Sequence, residues 1–281
     1  MNNTESNFNL VDFRIGEYPL LNINHLLYIN YVEDIRSASI RMEVQITDSQ
    51  TGLVSSLQGM EPVFIGWEDH KGNAIANYMV IYDIQDRKNV GGKSSAVLML
   101  CTLDFLNNAA NKLSRRFGKG KGKKIHDIVQ KEILEDLLGV PDEKLLNFEQ
   151  CINNFSFVSP YWNPFTAIRW LSSKAIPATK GSGSAATAGY AFYETRSGYN
   201  FVSYDSFARQ EPVTRIVVGH EGEELEDEED YGITSVESLT IESSVDLLKG
   251  LNLGSYSSNV MTLDIKDMKY EEYPFNINKY Y

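Results

Sequence analysis

Two carboxylates in the second half of the chain have residue types suited to acid–base chemistry. Glu194 and Asp205 flank an aromatic segment that is predicted to form a hairpin. Hydrolysis of a glycosidic bond needs two such carboxyl groups at a defined separation in a cleft. The chain holds 38 Asp and Glu residues, so pairs of this kind arise easily by chance. The sequence leaves the separation open, and we predict no catalytic residue.

The segment Leu113–Lys124 combines glycines with clustered positive charge. Glycine-rich loops can cradle phosphate, but the spacing Gly-x-x-x-x-Gly-Lys-Ser/Thr is absent here and no apolar strand leads directly into the segment. We expect a flexible, solvated connector between helices, which can meet an acidic surface of a partner. Its glycines and cations are Gly118, Gly120, Gly122, Arg115, Arg116, Lys119, Lys121, Lys123 and Lys124.

A strongly acidic segment, Glu221–Asp230, has eight carboxylates in ten positions. An EF-hand calcium loop needs oxygen ligands at alternating positions, a glycine at the sixth and a glutamate at the twelfth, and this order is not present. Mutual repulsion predicts an extended, exposed loop. Its charge complements that of Leu113–Lys124, so contact with the basic connector of a neighbouring subunit is one hypothesis.

The remaining reactive residue types do not form a recognisable site. Gly254-Ser255-Tyr256-Ser257 lacks the second glycine of a nucleophile elbow. Cys101 and Cys151 lie among apolar neighbours and are expected to be buried free thiols. The histidines stand singly without partners at metal-ligand spacing, so neither a metal nor a cofactor is predicted. His126 is expected on a helix surface beside Asp127. The other histidines are His25, His70 and His220.

Composition limits the classes of protein that fit. The chain has 281 residues, 42% of them hydrophobic, which allows two or three domains with proper cores. Its net charge of -12 disfavours tight, sequence-specific binding of nucleic acid, which needs clustered cations, and suits a conduit better than a binder. The apolar runs are too short to span a bilayer, and Met1–Asn9 lacks the order of a secretory signal. We therefore expect assembly in a cytoplasm without membrane insertion.

The first hundred residues have the pattern of antiparallel β-structure. In Ser39–Thr47, apolar and polar residues alternate strictly, which predicts a half-buried strand. Several short strands separated by turn-rich gaps indicate a small barrel or sandwich. The further predicted strands are Pro62–Trp67, Tyr78–Ile84 and Ser95–Leu103, with gaps at Asp69–Asn73 and Asp86–Lys93.

The apolar period then changes to that of helices. Leu103–Phe117 and Ile125–Leu138 have helical spacing, and Gly139 stands where a helix C-terminal cap belongs. A third helix is predicted after Asn163, an N-cap residue type, with Pro164 in the first helical position.

The last third is predicted to return to β-structure. Gly181–Gly189 is expected to be a loop, and the hairpin follows as two strands around Arg196-Ser197-Gly198. The later predicted elements are strands at Val213–Val218 and Val260–Ile265 and a helix at Val245–Leu251. The chain ends in an aromatic segment, Tyr270–Tyr281, so the core of this region is expected to be incomplete or to be completed by another subunit.

One stretch resembles a known family. Val158–Ala175 reads VSPYWNPFTAIRWLSSKA, similar to the run Pro-aromatic-Trp-x-Pro-Phe-x-Ala-Ile-x-Trp-Leu of baseplate hub proteins of contractile-tailed, T-even-like bacteriophages. Gly189–Ser206 resembles that family's hairpin, Phe-Tyr-Glu-x-Arg-x-Gly-Tyr-x-Phe. Ser39–Thr47 and Gly59-Met60-Glu61 are weaker matches to its first barrel.

The resemblance implies a fold class of α+β, β-rich, with two small antiparallel, tail-tube-like β-barrel domains and associated α/β subdomains. The implied domains are a first barrel at residues 1–115, a helix-plus-hairpin domain at 116–205 and a second barrel region at 206–281, expected to be incomplete at the C-terminus. In the family, three subunits form a ring in which six barrels mimic sixfold symmetry.

The implied function is that of a non-catalytic tube-to-spike adaptor in the baseplate of a virion, around the channel for DNA ejection. The implied partners are two further copies of the chain, the central spike protein, the tail tube and tube-initiator proteins, and the baseplate wedge proteins. Two alternatives stay open from sequence: a cell-wall hydrolase carried by a tail, and the hub of a related contractile injection system.

Overall fold

The computed structural model describes residues 8–19, 26–49, 52–69, 74–178, 189–207, 209–212, 214–218, 232–236, 238–240 and 246–276. By its internal contacts the chain divides into two compact units, residues 1–208 and 209–281. No helix in the described ranges is long and apolar enough to cross a membrane.

The first unit begins with a curled, antiparallel sheet of seven strands in the order β2-β1-β5-β6-β7-β4-β3. Among the described strands, β2 and β3 therefore form its two edges. The strands are β1 (Phe8–Ile15), β2 (Tyr18–Pro19), β3 (Leu26–Val32), β4 (Arg41–Asp48), β5 (Pro62–Asp69), β6 (Ala74–Val90) and β7 (Lys93–Cys101).

Strict alternation in the sequence produces the core of this sheet. In β4, Met42, Val44 and Ile46 are buried, while the residues between them are partly exposed. A single turn of helix, α1 (Leu53–Ser56), packs Leu53 and Val54 into the same core. Its N-cap is Gly52, whose φ of 70° suits a residue without a Cβ. The predicted strand is confirmed.

Strand β6 is longer than predicted. The expected gap at Asp86–Lys93 is wrong, because pairing with β7 continues as far as Val90 and Lys93, and only Gly91 and Gly92 form the turn. Two register shifts interrupt this pairing. Its partner on the other side, β5, pairs with β6 only as far as Val80. Beyond Val80, β6 forms an overhang, residues 82–90, with one edge unpaired among the described strands.

The rest of the first unit is a mixed region of short helices and strands around a second core. It contains α2 (Leu103–Ala110), β8 (Arg116–Phe117), β9 (Lys123–Lys124), α3 (Ile125–Asp127) continuing as a π-helix (Ile128–Glu135), a 3-10 turn (Asp142–Lys144), β10 (Leu145–Phe148), β11 (Asn154–Phe155), β12 (Phe157–Val158), α4 (Pro164–Ser172), β13 (Tyr190–Thr195), β14 (Gly198–Ser203) and α5 (Tyr204–Phe207).

The predicted helix Leu103–Phe117 is wrong beyond Ala110. The chain is extended at Asn111, Leu113 forms an isolated bridge with Trp162, and β8 pairs with β12. Tertiary pairing overrides helical spacing here. The helix predicted at Ile125–Leu138 is confirmed from Ile125 to Glu135. Its apolar residues Ile125, Ile128, Val129 and Ile133 are fully buried, and Gly139 follows with a φ of 68°.

The hairpin is confirmed, and it belongs to a three-stranded sheet. β13 and β14 pair antiparallel, with Tyr190 opposite Ser203 and Thr195 opposite Gly198. β10 adds to β14 in parallel, which the sequence pattern did not predict. The expected loop Gly181–Gly189 lies outside the described residues except for Gly189.

The second unit consists, in its described part, of two separate strand pairs and a short helix. β15 (Thr214–Val218) and β16 (Gly232–Val236) are parallel, and β17 (Ser257–Asp264) and β18 (Lys269–Asn276) form an antiparallel hairpin after α6 (Leu247–Asn252). The β-rich α+β class is confirmed. A second barrel in this unit and the division into three domains stay predictions.

Candidate functional site

The stretch that resembles the hub family forms the core between α4 and the hairpin. Phe165 of α4 contacts the rings of Phe192 and Tyr199, with centroid distances of 5.4 and 6.0 Å. Phe192 and Tyr199 stack on each other at 5.6 Å. All three side chains are buried, so this part of the stretch is a packing feature.

The start of α4 is fixed from another helix. Asn163 occupies the predicted N-cap position, but its side chain does not accept the capping hydrogen bond. Instead, Oδ1 of Asn108, at the end of α2, accepts a hydrogen bond of 2.7 Å from the backbone N–H of Phe165. The side-chain amide of Asn163 donates in return to the carbonyl of Asn108 at 2.8 Å. The two asparagines therefore join α2 to α4.

Glu194 is the polar group that joins the hairpin to the curled sheet. Its side chain is 3% exposed. Oε2 accepts a hydrogen bond of 3.1 Å from the backbone N–H of Ile40, just before β4. It accepts another of 3.1 Å from the hydroxyl of Thr102, just after β7. One carboxylate thus binds two neighbouring strand ends of the sheet, and we call these contacts the seam.

Burial dominates the charge state of Glu194. Loss of solvation raises the pKa of this carboxyl to about 7. The hydrogen bonds from Ile40 and Thr102 and the charge of Lys144 favour the ionised form and lower the pKa, but by less. Asp104 raises the pKa further by repulsion. Asp104 is itself 3.0 Å from Nζ of Lys144, so beside the seam a buried aspartate pairs with a partly exposed lysine.

Other titratable groups also face Glu194 from the sheet and the hairpin. Tyr31, Cys101 and Tyr199 each interact electrostatically with its carboxylate, and burial is the main reason that the pKa of each of these groups is raised. These groups therefore stay protonated near neutral pH.

A second contact between hairpin and sheet lies at the hairpin turn. Oε1 of Glu33 accepts hydrogen bonds from the backbone N–H of Arg196, at 2.7 Å, and from the hydroxyl of Tyr31, at 2.6 Å. The ring of Tyr31 meets that of Trp67 edge-on at 5.5 Å. These groups border a mostly apolar cleft of about 500 Å³, lined by Ile29, Tyr31, Glu33, Trp67, Ile75 and Arg196.

The structure does not bring Glu194 and Asp205 together. Glu194 lies opposite Tyr199, whereas Ser203, next to α5, lies opposite Tyr190 at the other end of the hairpin. Four strand residues separate these positions, roughly 13 Å at the usual rise. The paired carboxyls of glycosidases lie about 5 to 9.5 Å apart. Asp205 has one buried oxygen without a hydrogen-bond partner among the described residues.

Residue types that can bind a metal do not cluster in the described part of the chain. In the described ranges, no group of three His, Cys, Asp or Glu side chains is arranged to hold a metal ion. His126 is partly buried, not on the surface, since its Nδ1 accepts a hydrogen bond of 3.0 Å from the backbone of Cys151. Burial is the main reason that the pKa of His126 is lowered. His25, His70 and His220 lie outside the described residues.

The two cysteines are free and buried, as predicted. Gly254-Ser255-Tyr256-Ser257 follows α6 as a turn, in which the backbone N–H of Ser255 donates to the carbonyl of Gly250. A nucleophile elbow needs a strand leading into a helix, and this segment has the opposite order. The acidic segment Glu221–Asp230 lies outside the described residues.

The segment Leu113–Lys124 is not a free connector between two helices. Strands β8 and β9 fix it to β12 and β11 by backbone pairing. The backbone N–H of Gly118 donates to the carboxylate of Glu132 at 3.3 Å. The prediction of a flexible connector is therefore wrong, because residues Asn154–Val158, far along the chain, order it.

The exposed apolar side chains mark surfaces suited to assembly. On the β3 edge, Leu27 is 57% exposed. In the second unit, no described side chain is buried, and Leu263 is 68% exposed. Large exposed apolar areas are typical of protein interaction sites. The other exposed apolar residues of this unit include Leu247, Leu248, Leu253, Val260, Met261, Ile265, Met268, Tyr270 and Tyr273.

No family model matches the chain, and no curated protein matches it. The tail protein from Neisseria meningitidis MC58 superposes with a TM-score of 0.54 at 12% identity, over 96% of this chain and 68% of that protein. The chain shares the fold of that tail protein. A sequence identity of 12% is too low to transfer the function of that protein to this chain.

Two further structures align over less of their length. The 43 kDa tail protein of prophage MuSo2 from Shewanella oneidensis has a TM-score of 0.47 and 8% identity, over 74% of this chain and 58% of that one. The E. coli c3393 protein, a component of the type VI secretion system, has a TM-score of 0.47 and 14% identity, over 73% and 51%. The chain thus spans about half to two thirds of these proteins.

Sequence reasoning named Glu194 but missed the groups around it. Thr102, Asp104 and Lys144 contribute to the seam, and Asn108 caps α4. Asp104 and Asn108 lie four residues apart and are both buried in a short helix. Their burial is visible only in the structure, because it depends on elements far along the chain.

Proposed function

We propose that the chain is a structural subunit of a tail baseplate hub, in which three copies form a ring that adapts a sixfold tail tube to a threefold central spike. The observation that supports this is the fold shared with the Neisseria tail protein over 96% of this chain. The two hub-type segments, Val158–Ala175 and Gly189–Ser206, contribute part of the second core of the first unit and the seam.

The exposed strand edges support an assembling subunit. An edge strand offers unpaired N–H and C=O groups, to which a strand of another chain can add. The apolar β3 edge and the β17–β18 hairpin are surfaces of this kind in the described part of the chain. In a ring these contacts are heterologous and close by rotation.

The proposed partners are two further copies, the central spike protein, the tail tube and tube-initiator proteins, and the baseplate wedge proteins. The proposed location is the baseplate of a virion or of a related contractile injection machine, around a channel for DNA ejection. The role is non-catalytic, because the buried Glu194 is used in hydrogen bonds within the fold.

The oligomeric state tests this function. Sedimentation equilibrium on the purified chain should give three times the mass of one chain, and with a spike protein it should give that mass plus the mass of the bound spike. Electron microscopy should show a threefold ring with a central channel. The variant Leu27→Glu places a charge on the β3 edge and should weaken the ring at least about tenfold. Val90→Glu, also at an exposed apolar residue, is the matched control.

A strict monomer, both alone and with spike protein, would count against the hub. An enzyme would be detected by clearing of peptidoglycan. Clearing activity that is lost in Glu194→Gln or Asp205→Asn, with the fold intact by circular dichroism, would contradict the non-catalytic role.

A further inference from the structure

The loop at the centre of Leu113–Lys124 has a fixed backbone and a projecting tip. Gly118, Gly120 and Gly122 have φ angles of 66°, 76° and 89°. A Cβ on Gly118 would lie 2.2 Å from the carbonyl oxygen of Phe155, whereas one on Gly120 would meet nothing within 4 Å. A Cβ on Gly122 would also lie 3.1 Å from the same oxygen. The loop therefore lies against Phe155 at both ends and projects into solvent at Gly120.

The two side chains beside the tip are uncompensated cations. Lys119 and Lys121 flank Gly120 and are exposed. Neither forms an ion pair with a residue in the part of the chain that the structure describes. Strand pairing on both sides fixes the backbone that carries them.

The carboxylate next to the loop neutralises a different cation. Glu132 pairs with Lys123, with a distance of 2.7 Å between Nζ and Oε1. Arg115 donates to the backbone carbonyl of Glu132 at 2.8 Å, and Arg116 donates to the hydroxyl of Ser156 at 3.2 Å. The loop thus keeps most of its positive charge in a chain whose net charge is -12.

Such a surface fits an acidic peptide segment. Fixed, unpaired cations attract an anionic partner and set its position. The overall negative charge of the chain disfavours nucleic acid, whose extended phosphate backbone would meet many carboxylates. The chain itself has a suitable partner, the segment Glu221–Asp230 with eight carboxylates in ten residues. A heterologous ring brings two different surfaces of identical copies together.

We propose that the Leu113–Lys124 loop binds the acidic segment Glu221–Asp230 of a neighbouring copy. This inference rests on the proposed function, since it requires a ring of copies. Charge contributes mainly to orientation and rate of association, while the apolar surfaces stabilise the ring. Salt weakens the contact, because exposed charges are screened within about 8 Å at physiological ionic strength.

A peptide titration tests the recognition directly. The probe is a fluorescent peptide of residues 219–231, added to full-length chain in which the eight carboxylates of 221–230 are changed to amides. Anisotropy at low salt should show binding that weakens at least about tenfold in Lys119→Glu/Lys121→Glu. The matched control, Lys266→Glu/Lys269→Glu, changes two exposed lysines of the β17–β18 turn and should bind the peptide as before.

Three results would overturn the proposal: no binding at low salt, equal binding by all variants, or tighter binding of a duplex DNA probe than of the peptide. Sedimentation of the otherwise unmodified chain distinguishes this from failure of the hub. A trimer whose chains do not bind the peptide contradicts only the docking. A strict monomer that still binds the peptide contradicts the hub and, with it, a contact between copies, although the loop would still recognise acidic peptide.

Discussion

The two units of the chain differ in how they use their apolar residues. In residues 1–208, the curled sheet and the helix–hairpin region each enclose a core of fully buried side chains. In residues 209–281, no described side chain is buried, although leucines, tyrosines and methionines are frequent. The described part of the second unit buries no apolar side chain and so gains little free energy from burial. We expect the stability of the first unit to depend on its apolar side chains far more than that of the second.

The largest expected effect compares one leucine from each unit. Leu98→Ala removes a fully buried side chain from the sheet and should lower the free energy of unfolding by about 3 to 4 kcal/mol. Leu263→Ala changes a residue that is 68% exposed and should cost less than about 0.5 kcal/mol. Urea unfolding followed by circular dichroism measures both values. Equal losses would remove the distinction between the units.

A glycine pair sharpens the comparison within the first unit. Gly118→Ala combines a positive φ with a close contact to Phe155 and should cost about 3 kcal/mol. Gly120→Ala has a positive φ but open space and should cost about 1 kcal/mol. Thermal unfolding distinguishes the two. Similar melting temperatures would mean that the loop is not held against Phe155.

The pH dependence tests the seam. The folded pKa of Glu194, about 7, lies above its ordinary value of 4.5, so the folded chain binds this proton more tightly than the unfolded chain. The contribution to stability is fully present below pH 4.5 and is lost as the pH rises through about 7, at most about 3 kcal/mol. In Glu194→Gln, this fall in stability should disappear. An unchanged pH profile of urea midpoints would contradict the assignment.

The smallest effect concerns two helix caps. Asn108→Ala removes the hydrogen bond to the N–H of Phe165 and should cost the first unit about 1 kcal/mol. Asp246 caps α6 of the second unit, with 2.9 Å between its Oδ1 and the N–H of Lys249. Asp246→Ala should leave the unfolding of the first unit unchanged, which hydrogen exchange can follow segment by segment. Destabilisation of both units by either change would mean that they unfold together.

The sequence predicted what local patterns determine. The alternation at Ser39–Thr47 and the hairpin around Arg196 are short-range signals, and both elements exist as expected. The length of β6, the end of α2 and the cap from Asn108 depend on partners far along the chain, so no local pattern contains them. Glu194 was recognisable as a carboxylate, but its burial arises from sheet and hairpin together.

The β6 overhang affects how readily an unassembled subunit aggregates. Its unpaired edge, residues 82–90, contains two register shifts and the charged residues Asp83, Asp86, Arg87 and Lys88. Bulges and charges are the usual protection of sheet edges against aggregation. The β3 edge, with exposed Leu27 and Val32, has one register shift, between Leu26 and Tyr28, but no charged residue. A newly made chain therefore lacks charge protection at β3, and prompt covering of that edge would reduce its aggregation.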